Sequence, residues 1–518
     1  MSASESHRHH ESALLLTAAL VSSLIMLDSN IVAVSLPAIA QSLQARFADV
    51  EWVISAYILT FAVMLLPAGA IADRYGRKRT VLAGLIIFGV ASAGCGLAGT
   101  TSILSISRAA QGIGGALLLT SSLAVIGHAF EAGPRRARAW AFWGSAIGVA
   151  ITLGPVVGGV ITSSFGWRWS FLINVPLCLL FFVATLVFVP ESSDPETARP
   201  DTLGFLTFTT SLSLMTWALI DVNGSSSLTR TLARAVVALA VFFVFLGIER
   251  RHPRPLMDLA LFQNRTFLGG TFAMVGYAAG AQVLLFYLPL YLQSTFGLTP
   301  LRAGLGMLPF ALPLFIVPRV AGWLALRMSS RSLLALGLGV AVLGNLLLAL
   351  ASPRLSYPLF AVAMTVAGCG AGLLNGETAK VMTSATTAER AGMASGISAT
   401  TRFTGLLVAI SAMGAVLARV TSTSFALPGI DPESVASLAK RVIAGDVPGA
   451  VASVPAPLRE VVAAAARSAF ASGFAAASFL CAGVALAALV LVLALIPQDN
   501  GDVARRKLLA EATPPLGE

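Results

Sequence analysis

Stretches of about twenty apolar residues recur along almost the whole chain, each near the length a helix needs to cross a bilayer. Runs this long are not the short alternating strands of an outer-membrane barrel, so the chain reads as a helical integral membrane protein. Composition agrees: of 518 residues, 56% are hydrophobic and 11% charged, against roughly a quarter charged in a soluble domain. The net charge of +10 raises nucleic acid as a partner. The basic residues sit in short loops between apolar runs, however, and positive-inside topology accounts for them, so no nucleic acid is expected.

The runs divide into about fourteen spans, from the one holding Asp28 to one centred near Ala485. Arg74, Arg77, Lys78 and Arg79 follow the second span; Arg135, Arg136 and Arg138 the fourth; Arg250, Arg251 and Arg254 the eighth; Arg505, Arg506 and Lys507 the last. All fall on one side if both termini are cytoplasmic. PESSDPETARP, 190 to 200, reads as an interdomain linker. From about Thr421 to Arg467 lies the longest non-spanning region, external on this topology; Val435, Leu438, Val442 and Ile443 recur there at helical spacing and predict an amphipathic surface helix. Cys95, Cys178, Cys369 and Cys481 lie in apolar runs and read as core residues. His7, His9 and His10 form a polar tract read as a solvated tail; metal binding is the alternative. No cleavable signal is expected, because the first apolar run is too long and carries an acid.

GAIADRYGRKR, 69 to 79, closes the second span: Gly69 is expected to let helices approach, Gly76 to permit a tight turn, and Asp73 to pair with a basic group or helix end. This stretch resembles the loop signature between spans two and three of the major facilitator superfamily. LSISRAAQGIGGA (104 to 116), LGPVVGG (153 to 159) and WRWSFLINVP (167 to 176) resemble its fourth-span motif, its antiporter motif, and the sixth-span entry of its fourteen-span drug:proton antiporter branch. LDSNIVAVSLP, 27 to 37, is similar to that branch's first-span signature, with Asn30, Ala33 and Ser35 where Thr, Asn and Ala are usual. Stretches 289 to 309 and 389 to 405 look like the same branch. The resemblance implies two six-helix halves with an inserted helix pair, the first and fourth spans of each half lining a central cavity. The divisions expected are a cytoplasmic tail (1–12), a first half (13–190), a linker and inserted pair (191–265), a second half (266–497, with an external loop at about 421–465) and a second cytoplasmic tail (498–518).

Asp28 lies deep in its span, where a charge costs at least about 2.5 to 3.5 kcal/mol, so it reads as a protonation site facing a wet cavity in preference to a packing acid. Arg108, at comparable depth on the fourth span, is its expected partner in proton coupling. Glu377 and Lys380, at i and i+3 late in span twelve, read either as an interfacial pair or with Glu377 as a cavity acid in proton coupling, and Asn375 beside them is a candidate substrate contact. Arg402 reads equally as functional or structural. Tyr277, Gln282, Phe286 and Tyr287, with Tyr57, Trp143 and Asn30, are candidates for a substrate-contacting wall, aromatic faces attracting cations at roughly 0.5 to 2 kcal/mol each. Gly154, Pro155, Gly158 and Gly159 are expected to let span five pack tightly and bend, and Gly69, Asp73, Arg74, Gly76 and Arg77 to act in gating.

No phosphate loop, GxSxG or HExxH is present, so neither an ATP-driven pump nor an enzyme is expected. The resemblance implies a proton-coupled antiporter in the bacterial cytoplasmic (inner) membrane, exporting amphiphilic, cationic compounds. It would need no cofactor beyond the proton gradient, and would work as a monomer in contact with membrane lipids. A dedicated exporter of one metabolite or lipid-like molecule, or a non-transporting sensor or scaffold, are the alternatives.

Overall fold

A computed structural model describes residues 3–130, 133–193, 201–221, 228–252, 255, 257–387, 390–427 and 430–498, with side chains from His10 and, in the eighth span, from Thr229. The side chains of His7 and His9, residues Arg254 and Glu389, most of the 190–200 linker, and Arg505, Arg506 and Lys507 with their tail lie outside the described residues. Among those described, fourteen helices are long and apolar enough to cross a membrane. They are span 1 (His10–Ser42), span 2 (Phe47–Tyr75), span 3 (Arg77–Gly96), span 4 (Thr101–Ala129), span 5 (Pro134–Phe165), span 6 (Trp169–Phe188) and span 7 (Thr202–Asp221). Span 8 (Thr229–Arg251), span 9 (Arg265–Phe296), span 10 (Pro300–Leu324), span 11 (Ser330–Arg354), span 12 (Tyr357–Ser384), span 13 (Ala391–Ser424) and span 14 (Ala456–Leu495) follow. No strand occurs among the described residues. The protein is a multi-pass helical membrane protein, because lipid offers backbone groups no partner and a helix satisfies them within one segment. An even number of crossings puts both chain ends on one face, called here the tail side; the other is the far side.

Spans 1–6 pack as one group and spans 9–14 as another. Small residues set the closest approaches: a Cβ on Gly84 would meet Leu118 at 2.9 Å, and one on Gly370 the Ala341 backbone at 2.7 Å. Spans 7 and 8 pack on each other, with Phe208 and Phe245 rings 5.3 Å apart and the Ser211 hydroxyl donating to the Ala238 carbonyl at 2.9 Å. Span 7 also lies along spans 2 and 13, beside the seam between the two groups.

Three local features depart from the sequence reading. The helix of span 1 begins at Ala3, continuous with residues expected as tail. The non-spanning external region is shorter than expected: span 13 continues to Ser424, and the last long helix begins at Arg459, since the Ala-rich run up to Ala477 favours helix without needing lipid. Within the remainder, the amphipathic helix is present as Pro432–Ile443, started by the Asp431 side chain accepting from Ser434 N, with Leu438, Val442 and Ile443 buried against the bundle. Third, Gly69 faces open space, with nothing within 4 Å of where a Cβ would stand, so it mediates no helix approach. The tight constraint falls seven residues on. Gly76 adopts φ +111°, which side chains rarely allow, and a Cβ there would sit 2.6 Å from Glu191 Oε1.

Candidate functional site

Span 1 carries Asp28 and Asn30 two residues apart, hence about 200° apart around the helix, and they face different surroundings. Asp28 points into the first half and is fully buried, as is Arg108 at 1% exposure. Arg108 Nη1 donates to Asp28 Oδ2 at 2.7 Å, Gln111 Nε2 to Oδ1 at 2.9 Å, and Asn174 Nδ2 to the same Oδ1 at 2.6 Å. Arg108 also donates to Gln111 Oε1 (2.7 Å) and, through Nε, to the Val53 carbonyl (3.2 Å), while its guanidinium lies 4.1 Å from the centre of the Tyr57 ring. Gln111 completes the set with a bond to Ser92 Oγ at 2.9 Å. The two expected proton-coupling partners are thus brought together, and the carboxylate is saturated by donors from spans 4 and 6. Span 6 is broken at Ile173, and Asn174 opens its second helical piece, which is how a span otherwise made of bulky apolar residues presents an amide here. Gln111 and Asn174 lie in quoted motifs but were not among the candidate site residues. Their signal is polarity inside an apolar run.

Asn30 points the other way, into a cavity of about 30 Å³ between the two halves. Tyr57 and Phe61 of span 2, Tyr277, Gln282 and Phe286 of span 9, and Arg402 and Phe403 of span 13 line it. Span 9 opens into a π-helical turn over Ala278–Gln282, a deviation that often marks function and here turns Gln282 toward span 13. Arg402 Nε donates to Gln282 Oε1 at 2.9 Å, and its Nη2 lies 3.4 Å from the Tyr277 hydroxyl, which itself donates to Asn375 Oδ1 at 2.9 Å. Five candidate contact residues (Asn30, Tyr57, Tyr277, Gln282, Phe286) and Arg402 therefore converge on one cavity, with Asn375 directly behind Tyr277.

Three expectations do not survive. Asp28 does not line the cavity, being turned into the first half, and the cavity's charge is that of Arg402, which has no carboxylate partner among the described residues. Trp143 does not line it either: eight residues before the cavity residue Ile151, it sits about 12 Å toward the tail side, edge-on to Trp140 and packed with Ala18, Ile126 and Ala139. Spans 4 and 12 supply none of its lining, because a Cβ on Gly112 would strike the Tyr57 carbonyl, and span 4 packs so tightly on span 2 that span 2 shields it. Glu377 is remote from Asp28. It pairs with Lys380 Nζ (3.2 Å), accepts from Ser330 Oγ (3.0 Å), and lines a separate tail-side cavity of about 1090 Å³, so both readings of it describe one place.

The far side is closed between the halves. Gln293 Nε2 of span 9 donates to the Val34 carbonyl of span 1 at 2.9 Å, and Leu301 N of span 10 to Ser163 Oγ of span 5 at 3.1 Å. The antiporter-like stretch lies within this closure. A Cβ on Gly154 would meet Asn30 Cβ at 2.5 Å, one on Gly158 the Ile31 backbone at 2.8 Å, and one on Gly159 the Pro300 carbonyl at 2.6 Å, while the Pro155 carbonyl blocks any Cβ on Gly304. At the tail side Asp73 pairs with Arg77 Nη2 at 2.9 Å, Arg74 lies over the Tyr75 ring, and Glu191 accepts from Lys78 N and Arg79 N at 3.1 and 3.3 Å. That last clasp ties the start of the linker to span 3.

Two helical groups meeting around a cavity, with a buried ion pair beside it, are the arrangement of a membrane transporter. The model of the Major Facilitator Superfamily matches residues 18–410, and the chain belongs to that superfamily. It is 33% identical over 399 residues to the multidrug resistance protein Stp of Mycobacterium tuberculosis, covering 76% of this chain and 74% of that one. To the multidrug efflux pump LfrA of Mycolicibacterium smegmatis it is 29% identical over 475 residues, 90% of this chain and 93% of that one. Among solved structures it resembles a bacterial homologue of the human lysosomal transporter Spinster, inward-facing and unoccupied, with TM-score 0.62 over 98% of this chain and 99% of that one; at 16% identity this concerns the fold alone.

Proposed function

We propose that the protein is a proton-coupled antiporter that exports amphiphilic compounds, drugs and antibiotics among them, across the bacterial cytoplasmic membrane, with both termini in the cytoplasm. The observation that carries this reading is the membrane-buried Asp28–Arg108 pair, 2.7 Å apart, one helix face away from an aromatic cavity between the halves. Relatives named for multidrug resistance and efflux support the substrate class. Both halves and the cavity belong to one chain, which supports a monomer as the working unit.

Protonation of Asp28 cancels its attraction for Arg108 and frees Gln111 and Asn174, loosening span 1 from spans 4 and 6. Val34, six residues or about 9 Å further along span 1, holds Gln293 of the opposite half. One rigid helix therefore connects the protonation site to the far-side closure. The driving force is about 1.4 kcal/mol per pH unit and about 2.3 kcal/mol per 100 mV for each charge moved. Cationic substrates would need Asp28 released from Arg108. With the pair intact, recognition rests on the rings of Tyr57, Phe61, Phe286 and Phe403 and on the polar edge made by Asn30, Gln282 and Arg402.

Proteoliposomes carrying an imposed pH gradient test the reading. The native protein should accumulate a fluorescent amphiphile in exchange for protons, whereas Asp28→Asn should equilibrate it without accumulation. Uphill transport by Asp28→Asn at near the native rate would remove Asp28 from the mechanism, and no flux at all from the native protein would favour a sensor.

A further inference from the structure

Glu51 stands one turn inside span 2, at its far-side end, with 3% of its surface exposed. Among the described residues no cation pairs with it. Its carboxyl reaches out of the first half: Oε1 lies 3.3 Å from the Tyr287 hydroxyl of span 9 and occupies the space beside Gly414 of span 13, where a Cβ would collide with it.

The Tyr287 hydroxyl lies within reach of two acceptors, the Ile410 carbonyl at 2.8 Å and Glu51 Oε1 at 3.3 Å. A phenol has one proton to give. The Ile410 carbonyl, 2.8 Å from the Tyr287 hydroxyl, can only accept, so that proton goes there. With that proton committed to Ile410, a hydrogen bond between Tyr287 and Glu51 requires the proton of a neutral carboxyl, which would give a row from Glu51 to Tyr287 to Ile410. Charges on the surrounding elements are committed elsewhere or exposed. Arg108 of span 4 holds Asp28 of span 1 and the Val53 carbonyl; Asp221 of span 7 pairs with Arg234; Arg402 of span 13 holds Gln282; and Arg441 pairs with Asp446. On the same element Arg46 pairs with Asp49, while Arg419 and Lys440 are exposed. The titratable groups that face Glu51 are the Tyr287 phenol and, beyond it, the Cys481 thiol of span 14.

We propose that Glu51 is a second proton-binding site, loaded from far-side water, and that the two halves close over the far side only when it holds its proton. An ionised Glu51 in this joint would face oxygen atoms with no cation to offset it, whereas the neutral acid donates and is satisfied. When the halves part, the carboxyl meets water and gives the proton back to it. Binding a proton and closing the far side thus become one step, which is the direction an exporter must link them. This rests on alternating access as proposed above, but not on Asp28 being the coupling acid.

The test uses the full chain in nanodiscs, with Cys369 replaced by Ala, the other three native cysteines being buried. Spin labels on Gln41→Cys and Ser424→Cys, exposed positions at the far-side ends of spans 1 and 13, report the separation of the halves. In the native chain the far-side-open population should grow as pH rises from about 5 to about 9. Glu51→Gln, which mimics the protonated acid, should stay closed across that range, and should do so in the Asp28→Asn background as well. Tyr287→Phe removes the acceptor for the acid's proton and should move the closing midpoint to lower pH, which keeps a readout if Glu51→Gln fails to fold. A native pH response in Glu51→Gln, or an unmoved midpoint in Tyr287→Phe, overturns the proposal. Should Asp28→Asn alone abolish the response, the gate is read by Asp28 and the export reading stands without Glu51. Absence of drug flux in vesicles, by contrast, would strike the export reading and leave this measurement untouched.

Discussion

Arg108 reaches Asp28 with both side chains out of water, so removing one partner strands the other's charge. Taken alone, a buried acid is a liability, and the sequence suggests that Asp28→Asn would leave the protein intact or more stable. The pair reverses that expectation, since breaking a buried ion pair from one side costs about 3 to 5 kcal/mol. Asp28→Asn should therefore lower the melting temperature of the detergent-solubilised protein, and Asp28→Asn with Arg108→Gln should recover most of the loss. If single and double variants melt alike, the two charges are not energetically coupled. Gly76 supplies a second residue-scale expectation. Gly76→Val combines a disfavoured φ with a clash against Glu191, and should cost at least about 1 to 3 kcal/mol while displacing the linker from span 3. Protease sensitivity of the 190–200 linker is the measurement, and an unchanged cleavage rate would contradict it.

Span 9 shows how an element carries function through an irregularity. Its π-helical turn leaves backbone groups out of the regular ladder, and Asn345 Nδ2 of span 11 donates to the Gly280 carbonyl at 2.5 Å to hold that turn. Asn345→Leu should remove the bond at a cost of about 1 to 3 kcal/mol. It should also let Gln282 drift from Arg402, so substrate affinity should fall more than the maximal transport rate. The reverse split would make the turn a packing feature. Span 5 is an element of the opposite kind, regular and closely fitted. Gly159→Val would push its far-side end off Pro300 and Leu301, so the spin-label pair at 41 and 424 should shift toward the open distance at every pH. A closed distance in that variant would show that the halves tolerate a gap there.

At the scale of the whole molecule, the proton-coupled reading proposed above makes export depend on the membrane gradient. Dissipating the proton gradient in cells expressing the protein should stop export of a fluorescent amphiphile while ATP levels stay normal. Export that survives the uncoupler and stops on ATP depletion would refute antiport. Closure at the far side, through Gln293 with Val34 and Leu301 with Ser163, bars entry to the cavity from that side.

The apolar runs by themselves determined that this chain is a bundle of membrane helices, how many there are, and which polar residues lie out of place inside them. Hydrophobic length is a local property, and lipid enforces it segment by segment. Asp28, Arg108, Tyr277, Gln282 and Arg402 were legible for the same reason: each is polar where its neighbours are not. Tertiary structure decided the rest. The bonds that define the sites join residues 80, 146 and 236 positions apart, and which way a side chain points depends on how its helix is rotated against neighbours that no local pattern specifies. So Asp28 turned into the first half while Asn30 took the cavity, and Trp143 fell below it. Glu51 is, in the sequence, one polar residue near the end of a span. Only the meeting of spans 2, 9 and 13 made it a buried acid, because burial at a seam is a property of two surfaces and not of either sequence.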